Sequence, residues 1–445
     1  MIRKFSSSGY KLLEVEKAGR NRGSVISIIS DSKTASMRPE PLPALTGLRL
    51  VGAGWVVLFH LQPTLYLAWP SLKFFEPVLS KGDYGVPLFF VLSGFIIWHN
   101  YGFKSLLTLR SSARFLWRRF ARLWPVNIAS LTLAIPVVWW GIVIQNNFGA
   151  PMPDWYSKIG WIKSAFMVQE IGRPEPVFAW NQPAWSLTAE MVAYIAFPVL
   201  LALLFAIGVA RSRHRWTWAL LAFVIAYLVQ DRSWLFPSRW LVELFLIFTA
   251  GALLRIAGTA GRRLSVLAAT VQILAPIAIV LVCYTQGAQF IVVFLGAWVW
   301  SLSAAKGPGV WFFSLRGLQI AGLSSYSVYM LHWVIFGYCY IFLYYHPAIK
   351  QSFLPLFVVG MLCAVGVASW VTWRFFETPA RKILNQLFER VWRKKVSSTH
   401  LTAPAPPKIE EDPNLKSLHT SAASSVAAEV AICEQVDKTD RSTLA

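Results

Sequence analysis

Acidic residues are scarce in this 445-residue chain: 21 Asp and Glu stand against 42 Lys and Arg, and the four types together make up only 14% of it. That excludes an ordinary soluble surface, since soluble domains carry roughly one charged residue in four. Cysteine is sparse too. Cys283, Cys339, Cys363 and Cys433 lie far apart, with no CxxC pair and no histidine at metal-ligand spacing, so neither a disulfide framework nor a metal site is indicated. No Gly-rich phosphate loop, GxSxG or HExxH occurs, which removes the commonest local signatures of nucleotide, serine-hydrolase and zinc chemistry. The opening "MIRKFSSSGYKLLEVEKAGRNRG" has no apolar core followed by a small-residue cleavage site. The first apolar helix is therefore expected to direct insertion itself.

What the chain has in quantity is apolar sequence: 56% hydrophobic residues, with 22 tryptophans. A membrane-spanning helix needs about 20 mostly apolar residues. Reading for such runs predicts an all-α polytopic membrane helix bundle with ten spans, near 45–66, 84–102, 126–146, 185–209, 216–230, 239–254, 264–284, 288–304, 324–345 and 353–373. The segments 1–42 and 385–445 are polar and rich in Ser, Ala, Lys and Pro, and are expected to be disordered tails flanking a membrane domain over 43–384. The net charge of +21 would suggest nucleic acid in a soluble chain, but here it follows helix orientation. With the N-terminus inside, segments 1–42 and 103–125 carry 8 and 6 basic residues, while no outside loop exceeds 3. The positive-inside rule then places both termini in the cytoplasm.

Function has to come from polar groups at membrane depth, where a charge costs at least ~2.5 kcal/mol. Arg49 and His60 are eleven residues apart on the first helix, close to three turns, which puts them on one face about 16 Å apart along the axis. They could line one path, or Arg49 could snorkel to lipid phosphates while His60 packs as a core histidine. Glu190 lies just over a turn into the fourth span, in "NQPAWSLTAEMVAYIAFP". Counted from the outer helix ends it is as deep as His60, so the two could meet. The alternative is a carboxylate that only pins two helices together.

Before the third span, "RFLWRRFARLWPV" repeats Arg114, Arg118 and Arg122 every fourth residue, with Arg119 beside them. As a helix this is one basic stripe. It would enforce orientation and bind anionic membrane lipid, or hold a phosphate-bearing ligand through guanidinium forks. Gly85, Ser93 and Gly94 in "YGVPLFFVLSGFIIWHN" are small residues suited to close helix approach. Tyr326, Tyr329 and His332 fall on one side of the ninth span, a pattern more common in packing than in ligand sites. Arg239 with Glu243 is spaced for a local structural pair; Glu377 and Arg381 are four apart at the cytoplasmic surface with Pro379 between them, where a local structural role is expected.

In combination these stretches resemble the acyltransferase-3 family of integral membrane O-acyltransferases, over residues 43 to 382. The resemblance rests on "LPALTGLRLVGAGWVVLFH", "GVPLFFVLSGFII", "RRFARLWPV", "WSLTAEMVAYIAFP", "SSYSVYMLH" and "FFETPARK" in the family's order. Thr46 stands where the family usually has aspartate, and Ala193 where an aromatic is common. The resemblance implies transfer of an acyl group, commonly acetyl, from cytosolic acyl-CoA to a hydroxyl on a sugar of a surface polysaccharide or glycolipid. It also implies a multi-pass bacterial inner-membrane (plasma-membrane) location, with no metal and no nucleic-acid partner.

Under that resemblance Arg49 and His60 are the essential first-helix pair, and Arg119 with Arg122 match a cytoplasmic arginine motif. The expected site is therefore His60 as general base, with Arg49 and Glu190 beside it, and Arg118, Arg119 and Arg122 toward the phosphates of acetyl-CoA. A transporter or flippase using the same intramembrane groups is the competing class.

Overall fold

The computed structural model describes residues 39–401 apart from 103–105, 107, 144–155, 178, 210, 211, 213, 231–237, 260, 262, 263 and 286. The described residues contain helices and turns but no strand. All ten expected segments are helical: α1 (Pro43–Ala68), α2 (Gly85–Tyr101), α3 (Leu109–Val143), α4 (Trp185–Ala206), α5 (Arg215–Gln230), α6 (Arg239–Ala257), α7 (Ser265–Cys283), α8 (Ile291–Ser301), α9 (Ser325–Tyr345) and α10 (Leu354–Val371). A π-helical turn, Thr372–Glu377, leads into α11 (Thr378–Leu401). Among the described residues, seven helices are long and apolar enough to cross a membrane. The other three, α2, α5 and α8, have 17, 16 and 11 residues. This is a polytopic membrane helix bundle.

Apolar side chains stay exposed along the bundle's outside, including Leu220, Leu228, Leu274, Leu281, Leu356 and Val367. In water such a surface would be costly at roughly 25 cal/mol per Å², whereas in lipid it is the solvated face. Inside, small residues set the helix spacing. Gly94 on α2 lies against the Phe248 carbonyl of α6, and Gly251 on α6 against the Val91 carbonyl of α2. Gly85 on α2 likewise abuts Gly52 on α1.

Helix α1 is the hub. It packs on α2, α9, α10 and the short helices Pro308–Phe313 and Arg316–Leu323, and Gly47 and Gly322 let the latter two approach closely. Along α1, Ala44, Leu48, Ala53 and Leu61 are buried against these neighbours, while Pro63 and Leu67 stay exposed.

Two boundaries differ from expectation. The third span was placed at 126–146, but α3 begins at Leu109, so the arginine stripe and the apolar run form one 35-residue helix. The stripe's own helix propensity continues into the span, and Pro125 removes one backbone donor without ending the helix. The stretch 385–401, expected as the start of a disordered tail, is also helical. Composition pooled over 385–445 hid a local amphipathic repeat, with Ile383, Leu387 and Val391 every fourth residue. The chain divides into two compact units at Asn385 and Gln386. Within the second, Phe388 and Trp392 stack at 5.1 Å. The remainder of the expected tails, residues 1–38 and 402–445, lies outside the described residues.

Candidate active site

Helices α1, α2, α3, α4 and α9 line one pocket inside the bundle. Its polar lining consists of Arg49 from α1, Ser93 from α2, Arg122 from α3, Ser186 and Glu190 from α4, and Ser325, Tyr326 and Tyr329 from α9. The sequence separations are large, so only the fold brings these groups together. Their apolar neighbours, among them Val86, Phe89, Phe90 and Leu187, lower the local dielectric and strengthen every charge interaction inside.

The pocket is electrostatically unbalanced. Arg49 lies within electrostatic reach of Arg122, Glu190 and Glu377, and its Nε is buried with no hydrogen-bond partner among the described residues. The Tyr194 hydroxyl donates to Oε1 of Glu190, and Ser93 reaches the same hydroxyl at 3.3 Å. Two guanidinium groups therefore share one engaged carboxylate on the lining. Such a pocket favours a bound anion, or negative charge that develops on an oxygen during reaction.

Other hydroxyls fix the walls. Tyr326 donates to the Leu123 carbonyl at 2.7 Å, tying α9 to α3. Tyr329 donates to the Pro183 carbonyl at 2.8 Å and meets the Ser186 hydroxyl at 2.8 Å, tying α9 to α4.

The arginine stripe splits by role. Arg118 is exposed, Arg122 lines the pocket, and Arg119 is held among aromatic rings. Its guanidinium carbon lies 5.3 Å from the ring centre of Tyr101, 5.5 Å from Phe115 and 5.9 Å from Tyr194.

His60 is one step away from this pocket. Its ring packs against Phe59 at 5.0 Å, Trp333 at 5.2 Å and His332 at 5.3 Å. Equal depth suggested a meeting with Glu190, but depth says nothing about lateral position. Glu190 faces Arg49 and Arg122, while the imidazole beside His60 belongs to α9. The link between the two regions is Tyr329, which lines the pocket and whose ring lies 6.2 Å from that of His332.

Glu377 lies deeper than its spacing with Arg381 suggests. Glu377 was read as half of a surface pair with Arg381, yet it is 4% exposed and accepts a 2.8 Å hydrogen bond from Ser327. The signal was its position at the end of an apolar run, where the π turn re-aims the side chain inward. Arg239 acts electrostatically on Glu243, as their spacing predicts, and also forms a 3.0 Å ion pair with Glu175 of the loop before α4.

An internal pocket lined by Arg49 and Arg122 among membrane-length helices belongs to a polytopic membrane protein. The chain belongs to the acyltransferase domain family, whose model matches residues 42–373. It is similar to the acyltransferase MdmB of Streptomyces mycarofaciens, 28% identical over 172 residues, which is 38% of this chain and 42% of that protein. It is also similar to protein 2 in the picA locus of Rhizobium radiobacter, 30% identical over 163 residues, which is 35% of this chain and 79% of that protein. The chain thus spans under half of MdmB. No solved structure matches.

Proposed function

We propose that the protein is a membrane O-acyltransferase that moves an acyl group, most simply acetyl, from cytosolic acyl-CoA to a sugar hydroxyl of a surface polysaccharide or glycolipid. The observation that carries this reading is the convergence of Arg49, Arg122 and Glu190 on one pocket inside the bundle. Acyl-CoA supplies an activated thioester on a long arm that ends in phosphates. Arg118 lies on the exposed side of α3 facing those phosphates, and Arg122 lies one turn further in. Guanidinium forks suit phosphate oxygens. Arg119, engaged by three rings, holds the stripe in place.

Arg49 then stands between the donor face and His60, with its Nε free to bond an oxygen in the pocket. His60 acts as general base for the acceptor hydroxyl, a role typically contributing about 10²–10⁴-fold. Glu190, hydrogen-bonded by Tyr194, sets the charge and orientation of the two pocket arginines. The family match favours this reading over a transporter or flippase.

The test uses membrane vesicles containing wild type or His60→Ala, given acetyl-labelled acetyl-CoA, with label followed into glycolipid and polysaccharide. Wild type is expected to transfer label, and the variant to do so at least ~10²-fold more slowly at equal folded protein. Absence of transfer from several acyl-CoA donors, with native acceptor lipids present, overturns the proposal in favour of transport.

A further inference from the structure

We propose that His332 is a positioning residue for His60: its Nε2 receives a ring N–H of His60 while His60 takes the proton of the acceptor hydroxyl. This rests on the reading of His60 as general base.

The tautomer of His332 follows from its bonding. Its Nδ1 lies 3.1 Å from the Val328 carbonyl, and a carbonyl oxygen can only accept, so Nδ1 carries the hydrogen. In the neutral ring the lone pair is then on Nε2. That atom is buried and has no hydrogen-bond partner among the described residues, on a side chain that is itself 0% exposed. A buried acceptor left unsatisfied is costly, so its place in the core calls for a donor.

Three rings pack on His332: His60 at 5.3 Å, Phe336 at 5.8 Å and Tyr329 at 6.2 Å. Phe336 has no polar atom, and the Tyr329 hydroxyl donates to Pro183. His60 is the neighbour with an N–H to give. A histidine that accepts a proton on one nitrogen keeps its hydrogen on the other, and the group bonded to that N–H fixes the tautomer and steadies the imidazolium. Glu190 is already engaged with Tyr194. The rings are tilted by 32°, and hydrogen bonds of this kind commonly tighten when substrate binds. Pro63, one turn beyond His60 in α1, has no N–H for the Phe59 carbonyl, which loosens the helix where the ring has to turn.

The step balances. The acceptor oxygen bonds to the thioester carbonyl carbon as its proton passes to the free nitrogen of His60. The carbon–sulfur bond breaks, and the thiolate takes that proton from the imidazolium and leaves as CoA thiol. His332 keeps its own hydrogen throughout.

The experiment measures steady-state label transfer in vesicles for wild type, His332→Phe, His332→Gln and His60→Ala, with the thermal midpoint of each solubilised protein. Phe keeps the ring volume without an acceptor, and Gln returns an acceptor oxygen near the Nε2 position. Phe is expected to lower kcat ~10²-fold with KM within about twofold, and Gln to recover at least about tenfold over Phe. His332→Phe within about threefold of wild type, or folded His332→Gln no faster than His332→Phe, overturns the proposal. If His332→Phe does not fold, His332→Gln decides alone: a rate within about tenfold of wild type supports the role, and a folded variant as slow as His60→Ala refutes it. Should His60→Ala keep the wild-type rate, the general-base reading itself falls, an outcome distinct from failure at His332 alone.

Discussion

The guanidinium carbon of Arg119 sits 5.9 Å from the ring centre of Tyr194, the tyrosine whose hydroxyl is bonded to Glu190. Arg119 therefore braces the wall of the pocket, while Arg122, three residues on, forms part of its lining. Two arginines of one motif should fail in different ways. Arg119→Ala removes cation–π contacts worth about 0.5–2 kcal/mol and is expected to lower the thermal midpoint more than it raises KM for acyl-CoA. Arg122→Ala removes a charge-assisted donor and should raise KM about tenfold or more near the wild-type midpoint. Initial rates across acyl-CoA concentrations, with unfolding curves on the same preparations, check both. An equal rise in KM for the two variants would show that Arg119 touches the donor directly.

Gly94 gives a test of the packing. A β-carbon there meets the Phe248 carbonyl and backbone beyond it, which no side-chain rotation relieves. Gly94→Ala is expected to push α2 and α6 apart at a cost of about 1–3 kcal/mol. Gly366→Ala, where an added carbon meets nothing within 4 Å, should be neutral or stabilising by up to ~1 kcal/mol through helix propensity. Thermal midpoints in one detergent compare them directly. Equal midpoints would show that the α2–α6 contact tolerates the extra carbon.

Glu170 lies in the loop between α3 and α4, 0% exposed. Burial pushes its carboxyl from 4.5 up to about 7, against the Val177 backbone N–H and the Arg173 charge. The folded state therefore holds a proton that the unfolded state has released, so stability falls as pH rises from about 4.5 through about 7 and then levels. The thermal midpoint should drop between pH 5 and pH 8 in wild type. Glu170→Gln, which keeps an acceptor for the Val177 N–H at 2.8 Å, should flatten that slope. A slope unchanged by the substitution would assign the pH dependence to another group.

The helices were legible in the sequence because a bilayer demands long apolar runs, and each of the ten segments is a helix. The site was legible only as a set of residues. Arg49, Arg122 and Glu190 stand out as charges beside apolar sequence, but nothing local says that they share a pocket. Glu190 and His60 show the limit most clearly, since periodicity gives depth along a helix and packing decides the neighbour. Partners such as Tyr194, Ser93 and Ser327 were invisible for a simpler reason. Hydroxyl residues are common in membrane helices, and only their hydrogen bonds distinguish them. The interaction of Arg239 with Glu243 was readable from helical spacing, whereas the ion pair of Arg239 with Glu175 joins residues too far apart in the chain for any local pattern to show.

The π-helical turn at Thr372–Glu377 acts as a phase shifter. One residue more than an α-helical turn requires is accommodated there, so every side chain that follows is rotated relative to the helix that precedes it. Phe375 and Phe376 remain outward, at 66% and 45% exposed, while Glu377 turns inward to 4%. The carboxylate that meets Ser327 is therefore chosen by register as much as by identity. A single-residue deletion between 372 and 376 would take out the extra residue, turning the π turn into an α turn while Glu377 keeps its inward place.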